Sequence, residues 1–352
     1  MIMEMQFPPA TCRALVLSAI KETLLLETRP TPQATSGSAV TKILAAAVLY
    51  YSRDIYNGTH KYELATPSVP GSGAIGRVAA IGPDATRLQV GDLVFIDIYI
   101  RGRDDYSVGA LSENCFSLNE KRLLGSTADG GLGYTIDDLL YVAVQLVPFG
   151  GLRSIGLAVC DKIIISPAIG AFGSAAVQVA LAMGASVIAM CRNKEALKNL
   201  KLSLSPDGSD DHIQLIQITN DLQQEVEAPA KLGPADAFFD TSPKFAAGSS
   251  HIKSAIMSLR HRGRICLMGG AIGDMEIPAS PVVRRNLTIK GKWMYERDDI
   301  IKLIQMVGSG VTEIRKGSWL SDSWQIFYGK MEGSIRCCGR TCWSRRKSFN
   351  YP

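Results

Sequence analysis

Between Ser166 and Lys194 the chain carries residues whose types and spacing could hold a charged dinucleotide. The turn Ala168-Ile169-Gly170-Ala171-Phe172-Gly173 repeats the spacing of a phosphate-binding turn, with alanine in the first glycine slot. In such a turn the middle glycine lets the backbone approach a pyrophosphate, and the last lets the following helix pack closely on the preceding strand. Free N–H groups at that helix start, together with the positive end of its dipole, then favour the phosphates. About 20 residues after the first glycine slot, an NAD site usually presents Asp or Glu to the ribose hydroxyls. Here that window holds Ile188, Ala189, Met190, Cys191 and Arg192, with no acid. A carboxylate would repel a 2′-phosphate, whereas the Arg192 guanidinium can bind it through charge-assisted bonds, aided by Asn193 and Lys194. The cofactor read from these residues is NADP(H).

The elements that must position this turn follow from hydrophobic patterning. Lys162 to Ser166 is a β-branched run, as expected of a strand buried on both faces of a parallel sheet. Phe172 to Met183 reads as a helix and Ser186 to Met190 as the second strand. Further strands are expected at His212 to Ile218, Ala235 to Asp240, Gly263 to Met268 and Asn286 to Lys290, with a helix over Phe245 to Leu259. Six strands alternating with helices make an α/β doubly wound parallel sheet. The fourth strand ends in Asp240-Thr241-Ser242-Pro243 and the fifth in Gly269-Gly270. Both lie at carboxyl ends, where such sheets bind cofactors, so Gly269 and Gly270 join the cofactor-binding set through close backbone approach.

Upstream the texture differs. From Arg13 to about Asp97, Ile/Val/Leu stretches alternate with the turn signals Pro70-Gly71-Ser72-Gly73, Gly82-Pro83-Asp84 and Gly91-Asp92, the pattern of an all-β domain. A helix over Ile136 to Val147 leads into Pro148-Phe149-Gly150-Gly151, read as the joint between domains. The 352 residues, 46% hydrophobic and 20% charged, allow a large buried core and two domains. No apolar run approaches the ~18 residues of a membrane span. Eight scattered cysteines, several inside apolar strands, read as buried thiols in a reducing, cytoplasmic setting. The net charge of +5 does not point to nucleic acid. Arg336, Arg340, Arg345, Arg346 and Lys347 against Glu332 alone place nearly all of it in the last 22 residues, and no basic stripe with aromatics crosses the body. A small-molecule substrate is the expected partner, with no membrane and with a homodimer left open.

The ordered set Pro70-Gly71-x-Gly73-x-x-Gly76-x-Val78, Val90-Gly91-Asp92-x-Val94, Ala168-x-Gly170-x-x-Gly173 with Ala176-Val177-Gln178-x-Ala180, and Gly263-Arg264-x-Cys266-Leu267-Met268-Gly269-Gly270 resembles the medium-chain dehydrogenase/reductase superfamily. Within it the chain is similar to the zinc-free alcohol-dehydrogenase-like and quinone-oxidoreductase-like branch common in filamentous fungi, over roughly Arg13 to Gly310. The resemblance implies a GroES-like β-domain at 1–135, a Rossmann domain at 136–290 and a C-terminal return at 291–352.

The zinc branch of that family places a cysteine and a His-Glu pair where this chain has Tyr51, Ser72 and Gly73. A catalytic zinc needs about three Cys, His or carboxylate ligands. These positions offer a phenol, a hydroxyl and a hydrogen, so no metal site is expected. The four-cysteine structural lobe is also missing, Cys115 standing alone. Without a metal, hydride transfer needs a donor that stabilises charge developing on the acceptor. In zinc-free relatives the segment corresponding to Tyr50 to Tyr56 lines the nicotinamide end of the site. Tyr51, Arg53 and Tyr56 are therefore the catalytic candidates, the phenols as proton donors and Arg53 as anion stabiliser, while the same tyrosines would equally build an apolar wall. His60, His212, His251 and His261 show no partner in the sequence and are read as surface or satisfied positions.

The resulting expectation is an NADP(H)-dependent, zinc-independent oxidoreductase acting on a carbonyl or an activated C=C such as an enone or quinone, with a role in secondary metabolism implied by resemblance only. The alternatives are a secondary-alcohol dehydrogenase and a non-catalytic NADPH-binding protein. Two departures from the family stand out. The bridge between the Val94 strand and Cys115 is short, and from Gly329 the chain becomes a Cys/Arg/Ser/Trp mixture with neither strand nor helix period. An altered reading frame near residue 329 is expected there, and transcript sequencing tests it.

Overall fold

The computed structural model describes residues 8–49, 51–60, 64–101, 109–205, 211–244, 246, 248–312 and 336–337. They fall into two compact units. One holds the described residues up to Ala143 with Arg336–Cys337, and the other runs from Val144 to Thr312.

The first unit is built from antiparallel strands. β1 (Thr11–Val16) and β2 (Leu25–Pro30) pair as a two-stranded ribbon. β3 (Ala39–Ala47), β4 (Ser72–Ile81), β5 (Leu93–Arg101) and β6 (Gly109–Ser117) form a meander, with the short helix α1 (Ser52–Tyr56) between β3 and β4. Of the short bridge noted in the sequence, Arg101 ends β5 and residues 109–114 belong to β6, while residues 102–108 lie outside the described residues. Ile43, Ala46, Ala74, Val78, Val94 and Ile96 fill the core beneath this sheet. Arg77 crosses from β4 to chelate both oxygens of Glu120 (2.9 and 2.7 Å) at the start of helix α2 (Glu120–Leu124). The atypical tail from Gly329 lies outside the described residues except for Arg336–Cys337, which pairs antiparallel with β3 at Thr41 and Val40. Cys12, Cys160, Cys191 and Cys266 are free thiols. Cys115 is disulfide-bonded, which corrects its reading as a solitary thiol.

The helix expected over Ile136 to Val147 is two helices. α3 (Ile136–Leu139) starts at a Thr135–Asp138 capping box, and α4 (Tyr141–Ser154) follows at once. α4 runs straight through Pro148-Phe149-Gly150-Gly151, correcting the reading of these residues as a joint. The glycines are there for contact. A Cβ on Gly151 would stand 2.5 Å from Phe239, and one on Gly150 2.5 Å from the Cβ of Tyr295, so only glycine lets α4 lie this close to its neighbours.

The second unit is a six-stranded, wholly parallel sheet. Its strands are β7 (Lys162–Ser166), β8 (Ser186–Cys191), β9 (Ile213–Gln217), β10 (Ala235–Asp240), β11 (Leu259–Leu267) and β12 (Thr288–Gly291), in spatial order β12-β11-β10-β7-β8-β9. Numbered from β7, this is the 3-2-1-4-5-6 order of the doubly wound dinucleotide fold, read from the opposite edge. The central β7 and β10 are buried almost throughout, whereas the edge strand β12 is largely exposed. The helices are α5 (Ala171–Ala182), α6 (Lys194–Leu204), α7 (Leu222–Ala230), α8 (His251–Met257), α9 (Ala279–Arg284) and α10 (Arg297–Ser309). α8 packs Ile252, Ala255 and Ile256 onto a core of Ile164, Ile188, Phe238 and Ile265. It is shorter than the helix expected from Phe245, of which residues 245 and 247 lie outside the described set. No described helix is long and apolar enough to cross a membrane.

Candidate functional site

In an open parallel sheet the binding crevice lies outside the carboxyl ends of the strands, where the order reverses. Here that point is between β7 and β10. The chain leaves β7 through Pro167 and Ala168, and the buried Ala168 gives its N–H to Met190 O (2.8 Å), locking the turn onto β8. Gly170 is the N-cap of α5 with φ +100°, a conformation that favours glycine, and it provides no side-chain cap to the helix. Ile169 and Phe172 are half-buried on either side. Gly173 faces the turn so closely that a Cβ would overlap Pro167 O and stand 2.9 Å from the Ala168 carbonyl carbon. The helix behind it is lined with Ala175, Ala176, Val177, Val179 and Ala180, all buried, so small side chains bring its N-terminus down onto the sheet. Its first-turn N–H groups and dipole are aimed at the crevice, which suits a pyrophosphate.

The exit of β8 presents cations. Arg192, Asn193 and Lys194 are all exposed. Asn193 is the N-cap of α6, its Oδ1 accepting from Ala196 N (3.0 Å), and Gln217 Nε2 holds the Arg192 carbonyl (3.1 Å). Asn193 therefore shapes the loop while Arg192 and Lys194 supply charge at a helix N-terminus. Beside them opens a cavity of about 300 Å³ lined by Lys194, Lys198, Gln217, Thr219 and Gln224. Lys198 follows Lys194 by one turn of α6, whereas Gln217 was not legible as a site residue because only the β8–β9 register brings it to the exit of β8.

On the other side of the switch point, the turns after β10 and β11 are zipped together. Met268 N–H bonds to Asp240 O (3.1 Å), Gly270 N–H to Ser242 O (2.8 Å) and Ile272 N–H to Lys244 O (3.1 Å). Thr241 ties this pair back to the first turn through Ser166 O (3.1 Å) and Pro167 O (3.2 Å). A Cβ on Gly269 would lie 2.6 Å from Ser242 N, whereas nothing lies within 4 Å of one on Gly270. Gly269 is therefore needed for the turn-to-turn contact, and Gly270 is the exposed member.

In the first unit, Tyr51 is the N-cap of α1, and Arg53 and Tyr56 lie within it. Tyr51 meets the His60 ring at 5.7 Å between centroids, giving His60 the partner its sequence position did not reveal. Tyr56 is half-buried. Burial pushes its phenol pKa up, and a hydrogen bond with Ser52 pulls it partly back. Arg53 is exposed. At the zinc-ligand positions of the resembling family, the Ser72 hydroxyl is committed to Ala47 O (2.7 Å), and a Cβ on Gly73 would stand 3.0 Å from Ala143. Among the described residues no cluster of three His, Cys, Asp or Glu is placed to hold a metal ion. Tyr51, Ser72 and Gly73 themselves offer a phenol, a committed hydroxyl and a hydrogen.

Comparison with known proteins agrees with this architecture. The family profile described as alcohol dehydrogenase GroES-like domain matches residues 35–146, and that described as zinc-binding dehydrogenase matches residues 171–309. The chain is 25% identical over 351 residues to an alcohol dehydrogenase of Geobacillus stearothermophilus, covering 92% of this chain and 97% of that one. It is 27% identical over 310 residues to alcohol dehydrogenase 1 of Neurospora crassa, covering 80% and 83%. Among solved structures it resembles a putative alcohol dehydrogenase of Sinorhizobium meliloti (TM-score 0.67, 20% identity, 89% and 91% covered). It also resembles an E. coli alcohol dehydrogenase complexed with NADH (TM-score 0.69, 16% identity, 87% and 90% covered).

Proposed function

The chain belongs to the medium-chain dehydrogenase/reductase superfamily, and from that membership we propose an NADP(H)-dependent, zinc-independent oxidoreductase. Its substrate would be the carbonyl or the activated C=C of a small molecule such as an enone or quinone. The observation that carries this reading is the exit of β8. Arg192 and Lys194 are exposed there at the N-terminus of α6, and no carboxylate occupies the ribose-binding window. A 2′-phosphate would meet two cations and a helix dipole at that point, whereas a ribose 2′-hydroxyl would find no acceptor of the usual kind.

When bound, the nicotinamide supplies or accepts the hydride. This chain's residues do the rest. Gly170 and the start of α5 hold the pyrophosphate, Arg192 and Lys194 hold the 2′-phosphate, and the exposed Gly270 turn receives the second half of the dinucleotide. The Tyr56 phenol, held above its ordinary pKa by burial, keeps its proton at neutral pH. It can donate that proton to a substrate oxygen, or to an enolate carbon, as negative charge develops there. Tyr51 is a second donor, and Arg53 offsets the anionic charge. Oxidation of a secondary alcohol is the same chemistry reversed and uses the same residues.

The test is NADPH oxidation by the purified full chain over a panel of aldehydes, ketones, enones and quinones, before and after dialysis against a zinc chelator. The reading expects at least one class to be turned over at a rate the chelator leaves unchanged. A rate that appears only on adding zinc, or no turnover with any class, contradicts it.

A further inference from the structure

The second unit contains a buried polar chain that binding and catalysis as described leave unused. Asp240, Ser242 and His251 are each no more than 2% exposed. Asp240 is the last residue of β10. Its Oδ1 accepts from Ser242 N–H (3.1 Å) and from the Ser242 hydroxyl, and its Oδ2 accepts from Gly269 N–H (3.1 Å). A serine hydroxyl has one hydrogen, and it is used on Asp240. The 2.7 Å contact between Ser242 Oγ and His251 Nε2 must then have the ring donating. His251 Nδ1 in turn meets Ser249 Oγ at 2.7 Å. The sequence hides this assembly, since Ser242 and His251 are nine positions apart and only the fold of α8 onto β10 joins them.

We infer that His251 is a positioning residue for the cofactor's nicotinamide half. Its ring proton fixes Ser242, Ser242 fixes the Asp240 carboxylate, and that carboxylate holds the Gly269 amide, setting the turns after β10 and β11. This rests on the dinucleotide reading above, in which adenosine lies on the β8 side of the switch point and nicotinamide on the β10–β11 side. The geometry is specific. Gly269 tolerates no Cβ because Asp240 and Ser242 already fill that space, so a carboxylate released from Ser242 would swing directly into the turn. Buried hydrogen-bonded chains of this kind lose more than one contact when a member is removed, because the remaining polar atoms are left unsatisfied.

The experiment compares wild type, His251→Leu and His251→Gln as full chains, the glutamine retaining an N–H donor toward Ser242. Binding of NADPH and of 2′,5′-ADP, which lacks the nicotinamide half, is titrated for each. His251→Leu should weaken NADPH about tenfold and leave 2′,5′-ADP unchanged, with His251→Gln restoring NADPH to within about threefold. Amide hydrogen exchange should show faster exchange at Gly269 and Gly270 in His251→Leu, with the β7–α5 turn unaffected. Unchanged NADPH affinity in His251→Leu overturns the inference, as does a parallel loss of both ligands, which would mark His251 as a general stability residue. If wild type binds neither ligand, the dinucleotide reading fails. Exchange at Gly269 and Gly270 still decides whether His251 sets that turn.

Discussion

At the scale of single residues, two side chains carry separable parts of the proposed chemistry. Arg192 is exposed and placed by Gln217 and by the Asn193 cap, so its guanidinium is available to a 2′-phosphate without reorganising the fold. Hydrogen bonds to charged groups contribute about 1.5–3 kcal/mol. Arg192→Ala should therefore weaken NADPH binding by roughly 10- to 100-fold while leaving NADH within about twofold, as titration would read. An equal loss for both nucleotides would remove Arg192 from the specificity role. Tyr56 predicts a pH effect of definite sign. Its folded pKa is raised by burial, whereas an unfolded phenol ionises near ~10. Between those two values the unfolded chain binds fewer protons, so stability falls as pH rises above ~10 and is unaffected below it. Urea midpoints measured across that window should decline more steeply for wild type than for Tyr56→Phe. Parallel curves would contradict the burial of this phenol.

At the scale of elements, close approach governs the site. α4 and α5 both reach their neighbours through glycines that no other residue can replace in place. Gly151→Ala puts a methyl against Phe239 and Met268 in the packed interior. It should cost about 1–3 kcal/mol by overpacking, measured as a shifted urea midpoint with unchanged slope, and no shift would show that α4 has room to retreat. The same physics explains what the sequence disclosed. The strands of the second unit were legible where apolar runs such as Ile163 to Ile165 in β7 and Val187 to Met190 in β8 are buried on both faces. The turn at Gly170 and Gly173 was legible because its spacing repeats a steric requirement. Pro148-Phe149-Gly150-Gly151 was misread because proline and glycine ordinarily break helices, and only the tertiary contacts with Phe239 and Tyr295 reveal why glycines belong there. The Asp240–Ser242–His251 chain was illegible for the complementary reason. Hydrogen bonds between residues on different elements leave no periodic trace, and the Tyr51–His60 contact was hidden in the same way.

At the scale of the whole molecule, a strand-built unit and a doubly wound parallel unit share one chain, the arrangement of the medium-chain dehydrogenase/reductase superfamily. The fold brings the Gly170–Gly173 turn, the Arg192–Lys194 exit and the Gly269–Gly270 turn to the carboxyl ends of the strands of one sheet. Thr241 and Pro167, 74 positions apart in sequence, meet at the ends of the neighbouring strands β10 and β7. Within that architecture the proposed function rests on two points: the exposed cations Arg192 and Lys194 at the exit of β8, and the phenol, committed hydroxyl and glycine of Tyr51, Ser72 and Gly73. NADP(H) is the proposed ligand of these strand ends. Titrating the purified full chain with NADPH and separately with NADH, followed by nicotinamide fluorescence, tests it most directly. Saturable NADPH binding at least tenfold tighter than NADH is the predicted result, and equal or tighter NADH binding, or no binding of either, would contradict it.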